Sequence, residues 1–307
     1  MPSRRRTPRL GYATWASALR RAVREYSVDN GTYLAAMLTH FTLLALSPVL
    51  LAIFSVVSLV LTRNAETAVW LVAELTTQYV PADYQRLVSG LVRTITASAT
   101  GGGIALALAL ATGLWSSSGY ATAFSHCTNT IHGAVEGRGW LRRSATMALV
   151  ALATLAGVAL IVVSLVLTPA LVSGLLGPVA GPLRLTEELD FLLTTFLPIW
   201  GWVKWLLVLV VLVTVVAVLY HFTPDVRPRR FSWLTPGAVV AVLGIAAAAL
   251  LLWTYLSRFA GYNLFGAVGV AIALVFALWA SNIMLLLGAE VDVEVERARR
   301  LQSGSDQ

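Results

Sequence analysis

Residues 199–230 read IWGWVKWLLVLVVLVTVVAVLYHFTPDVRPRR, and no charged residue interrupts the run between Lys204 and Asp225. About 18 or more consecutive apolar residues are enough to cross the hydrocarbon core of a bilayer as a helix. One end carries Trp200, Trp202 and Trp205 around the lone Lys204; beyond the other lie Arg227, Arg229 and Arg230. Tryptophan beside a snorkelling lysine anchors one interface, and arginines past the far end favour the cytoplasmic side.

The rest of the chain follows the same grammar. It is 58% apolar and 12% charged over 307 residues, against roughly 25% charged in a soluble domain. Apolar blocks predict spans at about 35–62, 103–125, 145–173, 199–221, 236–257 and 267–289. The second is the least hydrophobic, with Gly101-Gly102-Gly103 at its start and Ser116-Ser117-Ser118 within it, and Thr168-Pro169 bends or ends the third. With six spans and both termini inside, sixteen arginines fall on the N-terminal side and five on the other. This is the asymmetry expected of a cytoplasmic face. The expectation is an all-α polytopic membrane protein with amphipathic helices on both faces and both termini cytoplasmic.

Three regions follow. Residues 1–33 are a basic amphipathic segment with seven arginines and no continuous apolar core, so a cleaved signal peptide is not expected. Trp15, Leu19, Ala22, Val23 and Tyr26 recur at helical spacing; this suits a helix on anionic lipid of the inner leaflet, or one packed on cytoplasmic loops. Residues 34–290 form the six-helix domain, with outer helical segments at 66–98 and 182–198. Residues 291–307 are a charged cytoplasmic tail, polar and disordered from Gln302 onward. Its carboxylates, Asp292, Glu294 and Glu296, are read as the solvated side of a mixed-charge helix.

Polar groups inside spans are candidate functional sites by default. They are His40 and Pro48 in the first span, Trp115 and Ser117 in the second, and Trp279, Ser281 and Asn282 in the sixth. Small residues recur every four positions at Ala105, Ala109, Gly113, Ser117 and Ala121, and again at Gly269, Ala273, Ala277 and Ser281. Such stripes let helix backbones approach closely in lipid, so the two helices are expected to line a shared central region. The plainer readings are packing for His40 and Asn282, and chance in an alanine-rich chain for the stripes.

No phosphate-binding loop, zinc-protease helix, serine elbow or calcium-loop pattern is present. The single Cys127 excludes an intramolecular disulfide. His126, Cys127 and His132 lie close in sequence, with nothing beside them to complete a metal site. No metal or other cofactor is expected, and no nucleic-acid partner; the expected partners are the bilayer and its anionic lipids.

The landmarks between spans resemble the YihY/BrkB family of bacterial inner-membrane proteins, some of which carry the label ribonuclease BN. The resemblance covers roughly residues 25–300. It rests on Leu46-Ser47-Pro48, and on the stretch from Leu114-Trp115-Ser116 through Asn129-Thr130-Ile131-His132-Gly133 to Glu136, Arg138 and Trp140. It continues with Leu219-Tyr220-His221-Phe222-Thr223-Pro224-Asp225, Pro236-Gly237-Ala238, Tyr262-Asn263 and Leu287-Gly288-Ala289-Glu290. The chain departs from the pattern at Phe265, His132 and His40, where the family favours tyrosine or another aromatic. A mechanism built on those hydroxyls is therefore not expected.

The resemblance implies a six-helix inner-membrane protein without a settled reaction. It carries over a cytoplasmic cluster of Asn129, Gly133, Glu136, Arg138, Tyr220, Pro224 and Glu290, in which Glu136 or Glu290 pairs with Arg138 or another loop arginine as a clamp. The expected function is transporter-like, handling a lipid or small solute. The alternative is a non-transporting envelope scaffold or serum-resistance-type virulence factor acting through the outer cap. The ribonuclease label is read as a misassigned name, since neither pattern nor chain supplies a nuclease site, and the protein is not expected to be an enzyme.

Overall fold

The computed structural model describes residues 12–45, 102–169, 172–173, 186–226, 233–258 and 266–305. Among these residues the structure is helical, without strands. Helix α1 is Tyr12–Val28, and α2 is the apolar Gly31–Ala45. They are joined by a turn in which Asn30 takes φ 57°, a left-handed conformation that asparagine tolerates better than most residues. Helix α3 is Gly102–Ile131, α4 is Trp140–Val166, α5 is Leu197–Phe222, α6 is Pro236–Arg258 and α7 is Gly266–Ser305.

Four helical stretches, Trp140–Leu165, Leu189–Phe222, Pro236–Arg258 and Val268–Gln302, are long and apolar enough to span a bilayer. Even the shortest, 23 residues, reaches about 35 Å at about 1.5 Å per residue, past the roughly 30 Å hydrocarbon core. Their outer surfaces are apolar: Leu149, Leu206, Leu251 and Phe276 are all exposed. In water such a surface would aggregate; in lipid it is the solvated side.

The elements differ from the sequence expectation in instructive ways. Residues 186–198 run straight into the fourth span, through Thr186–Phe191 and a π-helical turn at Leu192–Phe196. Leu192 and Leu193 continue the apolar surface of α5, so nothing breaks the helix there. At the other end α7 carries on to Ser305, well past the bilayer and through the predicted disordered tail. That extension is held by α1, whose Ala18 and Ala22 bury against Val291 and Val295. Helix α4 ends at Val166, two residues before Thr168-Pro169. The rest of the first span from Leu46, the outer segment 66–98 and residues 182–185 lie outside the described residues.

The most extensive pairing is α6 on α7. At its crossing Gly237 and Gly288 face each other: a Cβ on either would run into the other's backbone carbonyl. Close backbone approach is how helices gain contact in lipid, where apolar burial offers no advantage. The central core is Leu38, Phe124, Met147, Val216 and Leu286, one side chain from each of α2, α3, α4, α5 and α7.

Candidate functional site

One end of the bundle gathers α1, the loop 132–139, the segment after α5 and the extension of α7. It also holds every described arginine except Arg258, at the far end of α6, and forms an arginine-rich face. The turn out of α3 is made by Gly133 at φ 60°, and Ala134 N–H returns to the carbonyl of Asn129. This brings Glu136 and Arg138 back over the end of α3. Arg138 forks onto Glu136 through Nε and one terminal nitrogen at 2.7 and 2.8 Å. The same nitrogen donates to the Thr223 carbonyl at 2.8 Å and to Ser125 Oγ at 3.0 Å. Asp225 joins from the far side: its Oδ2 accepts from Gly137 N–H and its own N–H donates to Asn129 Oδ1, both at 2.7 Å. Asn129 Nδ2 donates to Glu136.

A loop is thereby tied to the ends of two spans by one guanidinium. The Arg138 hydrogen bonds hold the Glu136 carboxyl down at about 2. Pro224 is buried between Thr223 and Asp225. Glu290 stands apart from this clasp. It is buried and faces α1, where Asp29 and Glu25 approach it.

Beside the clasp a cavity of about 400 Å³ opens among α3, α5, α6 and α7. Its lining includes Thr128, His132, Tyr220, His221, Asp292, Glu296 and Arg299, with Ala217 and Ala289 toward the bilayer. Asp292 also caps α6: its carboxylate accepts from Thr235 Oγ1 at 2.5 Å and Gly237 N–H at 2.7 Å. An acidic group at a helix N-terminus satisfies orphan N–H groups and meets the positive end of the dipole. Glu294, expected to be solvated, is buried between Arg21 of α1 at 3.0 Å and Arg297 at 2.6 Å. The turn that points Glu294 at α1 also removes it from water.

Within the bilayer, Asn282 joins three helices: Tyr120 donates to its Oδ1 at 3.0 Å, and its Nδ2 donates to Thr39 Oγ1 at 3.2 Å. Tyr120, Phe124 and Tyr220 stack in sequence, with centroids 6.1 and 6.3 Å apart, and Tyr220 Oη donates to the Leu285 carbonyl. A polar and aromatic column thus runs from Asn282 to the wall of the cavity.

The other intramembrane candidates do not converge there. Trp115 is 83% exposed and lines a separate groove with Met37, Phe41 and Met147. Trp279 lines a third with Ala273, Ala277 and α6, its indole N–H reaching the Thr32 carbonyl. The small-residue stripe of α7 therefore faces α6 over this stretch. His40 is exposed and set edge-on to Phe41, Ser117 is buried, and Ser281 bonds back to Ala277. Pro48 lies outside the described residues. Sequence reasoning missed Ser125, Thr223 and Arg21 as partners. The dipeptide Pro224-Asp225 directly after a span was a usable sign for Asp225; nothing local marks Arg21, 273 positions from Glu294.

Membrane-length helices sheathed in apolar side chains, with ion pairs gathered at one end, define an α-helical polytopic membrane protein. The chain belongs to the family described as virulence factor BrkB, whose model matches residues 22–307. Over 286 residues, 93% of this chain and 97% of the relative, it is 27% identical to the ribonuclease-like protein YfkH of Bacillus subtilis (strain 168). No solved structure matches.

Proposed function

We propose that this BrkB-family protein is transporter-like, handling a lipid or small solute in the bacterial inner membrane, with both termini cytoplasmic. On this reading the cavity beside the Arg138 clasp is the cytoplasmic mouth of the path. The cavity is the observation that carries it. It holds acidic, basic and imidazole groups at the end of a bundle, and the Tyr220–Phe124–Tyr120–Asn282 column leads from it into the bilayer. Polar groups at bilayer depth are expensive and are candidate functional sites by default.

Anionic lipid fits the exposed side of α1, where Leu19 and Val23 accompany Arg20 and Arg24. The ribonuclease-like name of the Bacillus protein is not extended to this chain.

Cysteine-accessibility scanning of α3 and α7, in a Cys127→Ser background, tests the proposal. A path predicts that positions near Asn282 react with a water-soluble thiol reagent from one side in at least one condition. If no central position reacts from either side under any condition, the transport reading fails.

A further inference from the structure

Glu290 is the first charged residue of α7, after an uncharged run from Gly266. It is 2% exposed, and its Oε1 has no hydrogen-bond partner. The carboxyl of Asp29, just past the end of α1, approaches it, and Glu25 and Glu294 bring further negative charge. The nearby cations are committed: Arg21 and Arg297 both bind Glu294. Asp292, on the same helix, is turned to Thr235 and the start of α6. From α6 the residue packed at this contact is the uncharged Val240. From α5, Tyr220 has its hydroxyl on the Leu285 carbonyl. Two carboxyl groups share a hydrogen bond only when one of them carries a proton; both ionised, they repel. A proton held between the two carboxyls is what lets them stay in contact.

We propose that Glu290 and Asp29 form a proton-binding site, whose single shared proton latches α1 onto the extension of α7. The apolar part of that contact is small, Ala18 and Ala22 on Val291 and Val295. With the proton gone, a buried carboxylate faces three others while Arg21 and Arg297 stay on Glu294, and α1 leaves. The same turns of α7 carry Asp292, Glu296 and Arg299 into the cavity, so the latch makes that wall responsive to the pH of its compartment. The inference goes beyond the transport reading and stands without it, because docking of α1 is measured with no solute.

The test is a distance measurement between spin labels at Leu19→Cys and Leu301→Cys, both exposed positions, in Cys127→Ser protein in lipid nanodiscs. The docked state binds one proton more than the released state. Between the ordinary carboxylate range of the released state and the higher midpoint of the docked site, the docked-to-released ratio should therefore fall about tenfold per pH unit, and then level off. In Glu290→Gln the amide supplies the hydrogen that the proton supplied, so one short distance should persist at every pH. A second readout needs no variant to fold well: wild-type protein at neutral pH should show the infrared carbonyl stretch of a protonated, buried carboxylic acid. A wild-type distance that does not change with pH, a Glu290→Gln protein that keeps the wild-type pH dependence, or no such infrared band would each overturn the latch.

Discussion

Arg138→Ala is the sharpest perturbation of the clasp. It deletes the two-bond fork onto Glu136 together with the bonds to the Thr223 carbonyl and Ser125 Oγ. The Arg138 side chain is 10% exposed and that of Glu136 20%, so the orphaned carboxylate would stay largely out of water. Removing one partner of a buried ion pair costs about 3–5 kcal/mol. Arg143 Nε, 3.8 Å from Glu136, and the residual exposure place this case near the lower end, about 3 kcal/mol. Arg138→Lys keeps the charge and loses the fork, so it should cost about half as much, roughly 1.5 kcal/mol. Arg138→Met combined with Glu136→Gln leaves no unpaired charge and should be less harmful than the sum of the two single changes, with a coupling of at least about 1 kcal/mol. The assay is equilibrium unfolding in detergent followed by tryptophan fluorescence. A loss below about 0.5 kcal/mol for Arg138→Ala, or strict additivity in the cycle, would mean that the clasp is not a buried, coupled ion pair.

Other consequences are equally direct. Gly288→Ala puts a methyl into the Gly237 carbonyl and the Tyr220 hydroxyl and should cost about 1–3 kcal/mol or more. Gly201→Ala meets nothing within 4 Å and should stabilise α5 by up to about 1 kcal/mol; thermal aggregation midpoints of the two proteins should move in opposite directions. Asn282→Leu removes two interhelical hydrogen bonds at about 0.6 kcal/mol each in a bilayer. The same unfolding titration should then show a loss near 1 kcal/mol, without loss of expression. Glu136 has its pKa lowered from 4.5 to about 2, so its stabilisation is complete above 4.5 and disappears as pH falls toward 2. Acid titration of the unfolding midpoint should slope across that window in the wild type and be flatter in Glu136→Gln.

The membrane class and the third to sixth spans were legible because charge placement over 20-residue blocks survives any tertiary detail. Lys204 shows this well: among tryptophans at the end of a span, it sits over the Trp205 ring as interfacial anchoring requires. Boundaries were less legible. The continuation of α7 to Ser305 depends on α1 packing against it, a contact between residues more than 270 positions apart. At the site, the family pattern marked Glu136 and Arg138 but left Glu290 and other loop arginines as equal candidates for the pair. The partners that make the clasp, Ser125 and the Thr223 carbonyl, carry no signal of their own. Glu290 was expected near loop arginines, yet helical phase turns it to α1, where the acids Glu25 and Asp29 stand.

For the protein to act as proposed, the cavity must be an aqueous mouth that faces the cytoplasm. Ala217, buried on α5 and lining that cavity, is the place to ask. Ala217→Cys in the Cys127→Ser protein should react with a membrane-impermeant thiol reagent in inside-out vesicles and stay unreacted in right-side-out ones. Labelling only from the outer side, or no labelling from either, would contradict the account.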